Sequence, residues 1–306
     1  MSKPPVLILA YSRPDKVKAL IDSLRLSKPK VVLFAVDGPR ASIPGDLEKV
    51  EAVKSLATLI DWRATVLTRF RESNLGLKAA VIDAVNWAIS EFGEVIVIEE
   101  DVVVGPQFID FMSQKLDSYR NENRIGHVSG YNLVPSRYLP SSSDRLTRYP
   151  ESIAWGTWAR AWENFDEQLT WGTSCSIEEL QEIVGSRLGA LKWRLNFYDA
   201  ASDRVSTWAY RWIASMWSKN QFTLSPNVNL VKYTGFESGS HTKFSAPWDE
   251  IEIENYPMEN PVSQQILGVT KSAETWVSNK IFQENIVGLT KGILQTSYLR
   301  ILPEKY

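Results

Sequence analysis

Val95-Ile96-Val97-Ile98-Glu99-Glu100-Asp101 is the stretch that decides how this chain is read: an unbroken apolar run ends in three consecutive carboxylates. Four β-branched residues in succession, preceded by Gly93, fit a strand covered on both faces rather than one that alternates between core and water. Such a strand belongs to the middle of a parallel sheet, and its acidic end surfaces at the carboxyl edge. Open α/β sheets hold ligands in the crevice beyond that edge, and hard divalent cations take carboxylate oxygens. Acidic loops also occur as plain solvated surface. Three adjacent like charges repel one another, however, and a cation or hydrogen-bond donors among them relieve the repulsion. Sugar-nucleotide chemistry is the leading expectation.

The residues before this strand alternate strand and helix signals. A strand is expected at about residues 5–10, followed by a helix that Pro14-Asp15 opens and that runs through Val17, Leu20, Ile21 and Leu24. Val31 to Val36 reads as a second strand and stops at Asp37-Gly38-Pro39. A helical stretch from Leu47 to about Ile60 leads to a third strand around Thr65-Val66-Leu67 and the turn Arg71 to Gly76. The helix after it carries an apolar stripe at Leu77, Val81, Ala84, Val85, Ala88 and Ile89 that suits packing on a sheet. Alternation of this kind implies right-handed crossovers and a parallel sheet with helices on both faces.

Beyond Asp101, Gly105-Pro106 starts another helix with Phe108, Phe111, Met112, Leu116 and Tyr119 on its apolar face, and Ile125 to Tyr131 reads as a strand. Residues 135–150, rich in Ser, Pro and Arg, read as one long loop. Twelve tryptophans are many for 306 residues, and eight lie between Trp155 and Trp217. Aromatic faces stack on sugar rings but also make good core, and Trp155, Trp158 and Trp162 stand at helix-compatible spacing. Aromatic helices are expected from Trp155 onward, a short strand near Thr223, and a tail with two amphipathic segments, Trp276 to Phe282 and Ile286 to Leu294. The domain organisation expected is 1–134, 135–245 and 246–306.

Composition narrows the partners. A net charge of −2 offers no basic footprint to offset nucleic-acid phosphates. A single cysteine, Cys175, excludes an internal disulfide or a thiolate metal cluster and fits a reducing compartment, the cytoplasm by default. No leader is read at the N-terminus, and no apolar stretch reaches the roughly twenty residues that span a bilayer. Peripheral attachment at the inner face of a membrane through the C-terminal tail stays open.

The motifs, taken in order, resemble the GT-A-type glycosyltransferases, in particular bacterial family-2-like enzymes related to the N-acetylglucosaminyltransferase I group. The resemblance covers residues 5–245. It rests on Leu9 to Pro14, Val36 to Pro39, Asn74-Leu75-Gly76 and Glu99-Glu100-Asp101 with Pro106 and Phe108, then on Trp155 to Trp158, Ser206 to Trp212 and Ser240-His241-Thr242. It implies a Rossmann-like α/β sheet with helices on both faces, a Trp-rich acceptor-side region and a C-terminal helical tail. The implied reaction is metal-dependent and inverting transfer of a sugar from a nucleotide-diphosphate donor, a UDP-sugar by preference. The acceptor would be a saccharide or a lipid-linked saccharide in bacterial surface-polysaccharide synthesis.

The resemblance places Asp101 on Mn²⁺ or Mg²⁺, Glu99 and Glu100 toward ribose and donor sugar, Asp37 on the nucleoside, and Tyr11 and Arg13 beneath the base. Asn74 and Lys78 join the donor side, Lys78 as a phosphate contact one turn into its helix. His241 is a second candidate near the metal or phosphate. Trp155, Trp158 and Trp208 are candidates for acceptor stacking. An inverting transferase also needs a carboxylate to take the proton of the attacking hydroxyl. The related enzymes carry an aspartate just before the tryptophan that aligns with Trp208, where this chain has Ser206-Thr207, so the candidates are Asp203 and Glu237. Two other readings compete. A sugar-nucleotide pyrophosphorylase needs a glycine-rich first loop, and Ala10 to Pro14 contains no glycine; a catalytically inactive carbohydrate- or nucleotide-binding relative would bind without transfer.

Overall fold

The computed structural model describes residues 3–235, 251–257 and 268–301. Along the chain run β1 (Val6–Ala10), α1 (Pro14–Leu24), β2 (Val31–Val36), α2 (Asp46–Ser55), β3 (Thr65–Phe70), α3 (Leu77–Phe92), β4 (Glu94–Glu99), β5 (Val102–Val104), α4 (Phe108–Ser118) and β6 (Ile125–Ser129). They are followed by β7 (Asp144–Thr147), β8 (Ala154–Trp158), the single turns α5 (Ala159–Trp162) and α6 (Thr170–Ser174), and the helices α7 (Ile177–Val184), α8 (Arg187–Ala201) and α9 (Ala209–Ser218). Then come β9 (Phe222–Pro226), β10 (Val231–Tyr233), α10 (Lys271–Lys280) and α11 (Ile286–Ile301).

Eight strands form one sheet in the order β3-β2-β1-β4-β8-β6-β9-β7, and β5 pairs with β10 in a separate ribbon. β1, β2, β3 and β4 are mutually parallel, as are β6 and β9, whereas β8 and β7 run against their neighbours. This is the Rossmann-like α/β sheet that the alternation predicts. The sheet also runs through residue 134, because β8 is inserted between β4 and β6.

Strand alternation explains why so many of these residues are apolar. Val6, Ile8, Ile96 and Ile98 face a layer that includes α1 and α4, while Leu7, Val95 and Val97 face the opposite layer with α3 and α9. β4 is thus covered on both faces, as its composition demands. Two helix starts have local causes. Pro14 sits in the first turn of α1, where its fixed φ and missing N–H cost nothing. α7 opens with a reciprocal cap: Ser176 accepts from the Glu179 N–H and the Glu179 carboxylate accepts from the Ser176 N–H.

Two expectations are corrected. Residues 135–150 are not one loop, because β7 pairs antiparallel with β9 at the sheet edge. Its anchor is the buried Arg145, whose guanidinium donates to the Pro226 carbonyl at 2.8 Å and to Asn227 Oδ1 at 2.9 Å. Those partners lie more than eighty residues away, so no local pattern announces them. Trp155 and Trp158 are on strand β8, not on a helix, and only Trp162 lies in a helical turn.

Candidate active site

The carboxyl ends of β1, β2 and β4 open into a cavity of about 280 Å³. One flank is acidic: Glu99, Glu100 and Asp101. A second flank holds Arg40, Arg69 and Arg71 together with Asp37 and Asp83, and an apolar floor that includes Leu9, Ala35, Val36 and Val81 joins them. Strand ends bring together groups that are ninety residues apart in sequence, and this convergence is what a sheet edge provides.

The acidic turn is balanced by the loop after β1. The Tyr11 N–H donates to Glu100 Oε2 at 2.6 Å, and the Arg13 guanidinium reaches Asp101 Oδ2 at 2.7 Å and Glu100 Oε1 at 3.6 Å. β10 returns antiparallel beside β5, so Thr234 donates its N–H and its hydroxyl to the Asp101 carbonyl. One guanidinium does not neutralise three carboxylates. Burial, then the charges of Asp101 and Glu100, pushes Glu99 up to about 8; burial pushes Glu100 up to about 7. The strand end therefore holds protons at neutral pH that a bound cation would displace.

Asp101 Oδ1 is buried without a hydrogen-bond partner. Among the described residues no three His, Cys, Asp or Glu side chains are gathered as a metal cage. A single orphaned carboxylate oxygen fits a cation held by one protein ligand together with phosphate oxygens and water, the usual Mg²⁺ arrangement at phosphate sites.

Asp37 is bonded to the turn that follows β3. Oδ1 accepts from the N–H groups of Gly38 and Leu75, both at 2.9 Å, and Oδ2 accepts from Asn74 Nδ2 at 2.9 Å and the Gly76 N–H at 3.1 Å. A carboxylate has about four acceptor positions, and the adjoining turn occupies them, while Asp37 still lines the cavity. Asp37 holds the 74–76 turn against the end of β2, with Asn74 as its partner. Gly38 permits this approach, since a Cβ there would lie 2.3 Å from the Ser73 carbonyl carbon.

Tyr11 forms a shelf on the same side. Its hydroxyl donates to Asp46, which also accepts from the Arg40 N–H at 2.7 Å, and the Arg40 guanidinium lies over the Tyr11 ring at 5.2 Å. The arginines were missed in the sequence, although Arg69 and Arg71 stand two apart and therefore on one face of an extended chain. Arg69 donates to Asp83 Oδ1 at 2.8 Å and Arg71 pairs with the other oxygen, so two guanidiniums share one carboxylate. Burial and the Arg69 charge push the Arg71 pKa below its usual value.

The tryptophans proposed for an acceptor are interior. Trp155, Trp158 and Trp208 are 0–2 % exposed. Trp155 lies between His127 and Trp208, at 5.0 and 5.3 Å, and the Trp158 indole donates to the Leu116 carbonyl at 2.9 Å. Rings with both faces covered have none to offer a sugar, and this corrects the stacking expectation.

Asp203 is exposed, adopts φ +52°, and accepts from Lys78 Nζ at 2.6 Å and from the buried Arg211 guanidinium at 3.2 Å. Lys78, foremost, holds its carboxyl below the usual range. Lys78 is therefore committed to Asp203, which joins the segment after α8 to the start of α3. Neither residue lines the cavity. Glu237 and His241 lie outside the described residues.

No family model matches the chain, and no curated protein matches it. Among solved structures it is similar to S. aureus TarS 1–349, with TM-score 0.40 and 12 % identity over 66 % of this chain and 74 % of that one. It is also similar to UDP-glucose pyrophosphorylase complexed with UDP-glucose, with TM-score 0.32 and 9 % identity over 53 % of this chain and 78 % of that one. Neither likeness assigns a role to a residue here.

Proposed function

We propose that this chain is a GT-A-type glycosyltransferase that moves a sugar from a nucleotide-diphosphate donor to a saccharide or lipid-linked saccharide acceptor. The observation that carries the reading is the buried carboxylate turn at the end of β4, facing a cavity whose other wall sets three arginines against the Asp37 and Asp83 carboxylates. A donor of this class matches both halves: its diphosphate is anionic and its sugar and ribose hydroxyls pair with carboxylates.

In this reading Asp101 Oδ1 holds a Mn²⁺ or Mg²⁺ ion, which when bound supplies Lewis-acid stabilisation of the departing diphosphate. Arg13 holds Asp101 and Glu100 in place and carries the positive charge nearest the diphosphate. Glu99 and Glu100 hold hydroxyls of ribose and donor sugar; with raised pKa values they serve as acceptors when ionised and as donors when protonated. Tyr11 under Arg40 offers a flat surface to the base, and Asp37 with Asn74 fixes the adjoining turn. Asp203, held ionised by Lys78, is the proposed base for the acceptor hydroxyl. Glu237 as an alternative base and His241 beside the phosphates are proposals on sequence grounds alone. The pyrophosphorylase reading is not favoured, because the loop between β1 and α1 is only Tyr11-Ser12-Arg13 and its arginine is tied to the acidic turn.

The test is calorimetric titration of UDP, GDP and dTDP with and without Mn²⁺, followed by an assay for nucleoside diphosphate released from the matching sugar donor. Metal-dependent binding and acceptor-stimulated release are expected. Binding without release would identify an inactive relative, and folded protein that binds none of the nucleotides would overturn the reading.

A further inference from the structure

α11 is put together inside out. Its inner face is glycine: Gly288 and Gly292, four residues apart, are buried, and a Cβ at Gly292 would lie 2.9 Å from Leu195 Cδ2 and from Lys192 Nζ of α8. Removing side chains from the inner face lets the helix lie close on α8. Its large apolar side chains point the other way: Ile286 is 62 % exposed, Val287 57 %, Ile293 51 % and Leu294 65 %. On a helix of 3.6 residues per turn these four fall on one side. A helix that only completes a water-soluble fold has the opposite pattern.

Charge indicates what covers this face. From Asn285 to Ile301 there is no acidic residue, and the charged positions are Lys291 and Arg300. Lys291 is exposed on the edge of the apolar strip. On the adjoining α8, Leu188 and Leu191 are also more than a third exposed, Arg187 at the start of that helix lies 3.9 Å from Glu178, and the Lys192 amine faces Gly292 on the inner side. An apolar strip edged by an exposed lysine, on a helix without acidic residues, suits the boundary of an anionic bilayer, where the former enters the acyl region and the latter meets lipid phosphates. A second copy pairing through the same patch would set Lys291 near its own image, with no acidic residue from Asn285 to Ile301 to oppose it. No described helix is long and apolar enough to cross a membrane, so the contact is one of lying on the surface.

We infer that the outer face of α11 docks the protein on an anionic lipid surface. The inference goes beyond the proposed reaction and is read without nucleotide, so the failure of either leaves the other standing.

Flotation of the full chain tests it. Vesicles of phosphatidylglycerol and phosphatidylethanolamine are expected to carry the protein upward, and vesicles of phosphatidylcholine alone to bind about tenfold more weakly or less. Ile286→Ser with Leu294→Ser is expected to cut binding about tenfold or more, and Lys291→Glu to cut it about tenfold on the anionic vesicles only. All three side chains are exposed, so the melting temperature should not move. Wild-type protein that floats with neither vesicle overturns the inference. So does a dimer in solution that the serine pair converts to monomer while lipid binding is absent.

Discussion

The carboxylate turn after β4 and the tryptophan-rich segment from β8 to α9 are the two most unusual stretches of this sequence, and the structure treats them in opposite ways. The tryptophans carry no charge and cover one another's rings, although Trp155 Nε1 is buried without a hydrogen-bond partner. Trp155, Trp162, Trp208 and Trp212 pack ring on ring, and the Trp212 indole donates to His127 Nδ1 at 3.1 Å. His127 Nε2 therefore carries the proton shared with the Glu151 carbonyl at 3.0 Å, and burial pushes its pKa down to about 3, so the ring stays neutral. The carboxylates do not satisfy one another: two have raised pKa values and Asp101 keeps an unpartnered oxygen. A chemically odd stretch marks a site when folding leaves its groups in tension at an open edge, and marks core when folding resolves them.

The strongest way to break this contrast is to cut into each region. Trp155→Ala is expected to cost about 3–5 kcal/mol of stability, as large-to-small changes in a core do, while nucleotide affinity of the protein that remains folded stays within about twofold. Chemical denaturation with calorimetry on the same sample reads both; a selective loss of ligand binding would return Trp155 to the site. Asp101→Ala is expected to behave in reverse. Turnover should fall by about 10²–10³-fold, the scale of losing one preorganised electrostatic contact, with the melting temperature held or raised. Retained turnover would remove Asp101 from the reaction.

The parts of this molecule that could be read from sequence are those with local causes. β1, β2, α3 and β4 are each declared by an apolar run or stripe and a nearby Pro, Gly or acidic stop, and the carboxyl ends of the three strands with the first half of α3 carry the cavity. β7 is invisible because its ladder partner β9 is distant and its residues are polar. Trp155 and Trp158 mislead because a spacing of three is compatible with a helix, yet five successive residues of β8 are buried on both faces. Asp37 was found, but its bonds to the 74–76 turn were not. Which lone pairs remain free depends on the 74–76 turn folding back over it, and no motif records that. Arg69 and Arg71 were missed because two arginines at and just past the end of a strand look like surface until Asp83 of α3 is brought beneath them.

The tension at the acidic turn has a pH signature. Glu99 has its pKa raised in the folded protein, so the folded state binds the proton more tightly than the unfolded one. Its contribution is fully present below the unfolded value and is lost as pH rises to about 8. Stability should therefore decline from about pH 5 to about pH 8. Glu99→Gln should stabilise the protein near pH 8 by about 1–5 kcal/mol and change little near pH 5. Differential scanning calorimetry at both values decides it. An equal effect at both would mean that packing, not charge, governs this residue.

The smallest expected effect sharpens the comparison at its weakest joint, where Asp203 leans on Lys78. The pair is exposed, so Lys78→Ala should alter stability by no more than about 1 kcal/mol. Its chemical effect has a definite sign. Lys78 is the main cause of the lowered Asp203 pKa, so without it the carboxyl returns toward the ordinary range and becomes protonated at a higher pH. A general base must be ionised to act. If Asp203 takes the acceptor proton, the acidic limb of the kcat profile moves to higher pH in Lys78→Ala, while kcat on the alkaline side holds or rises because the base is stronger. If Asp203 only fastens the segment after α8 to α3, the limb stays where it is and any loss of rate is the same at every pH.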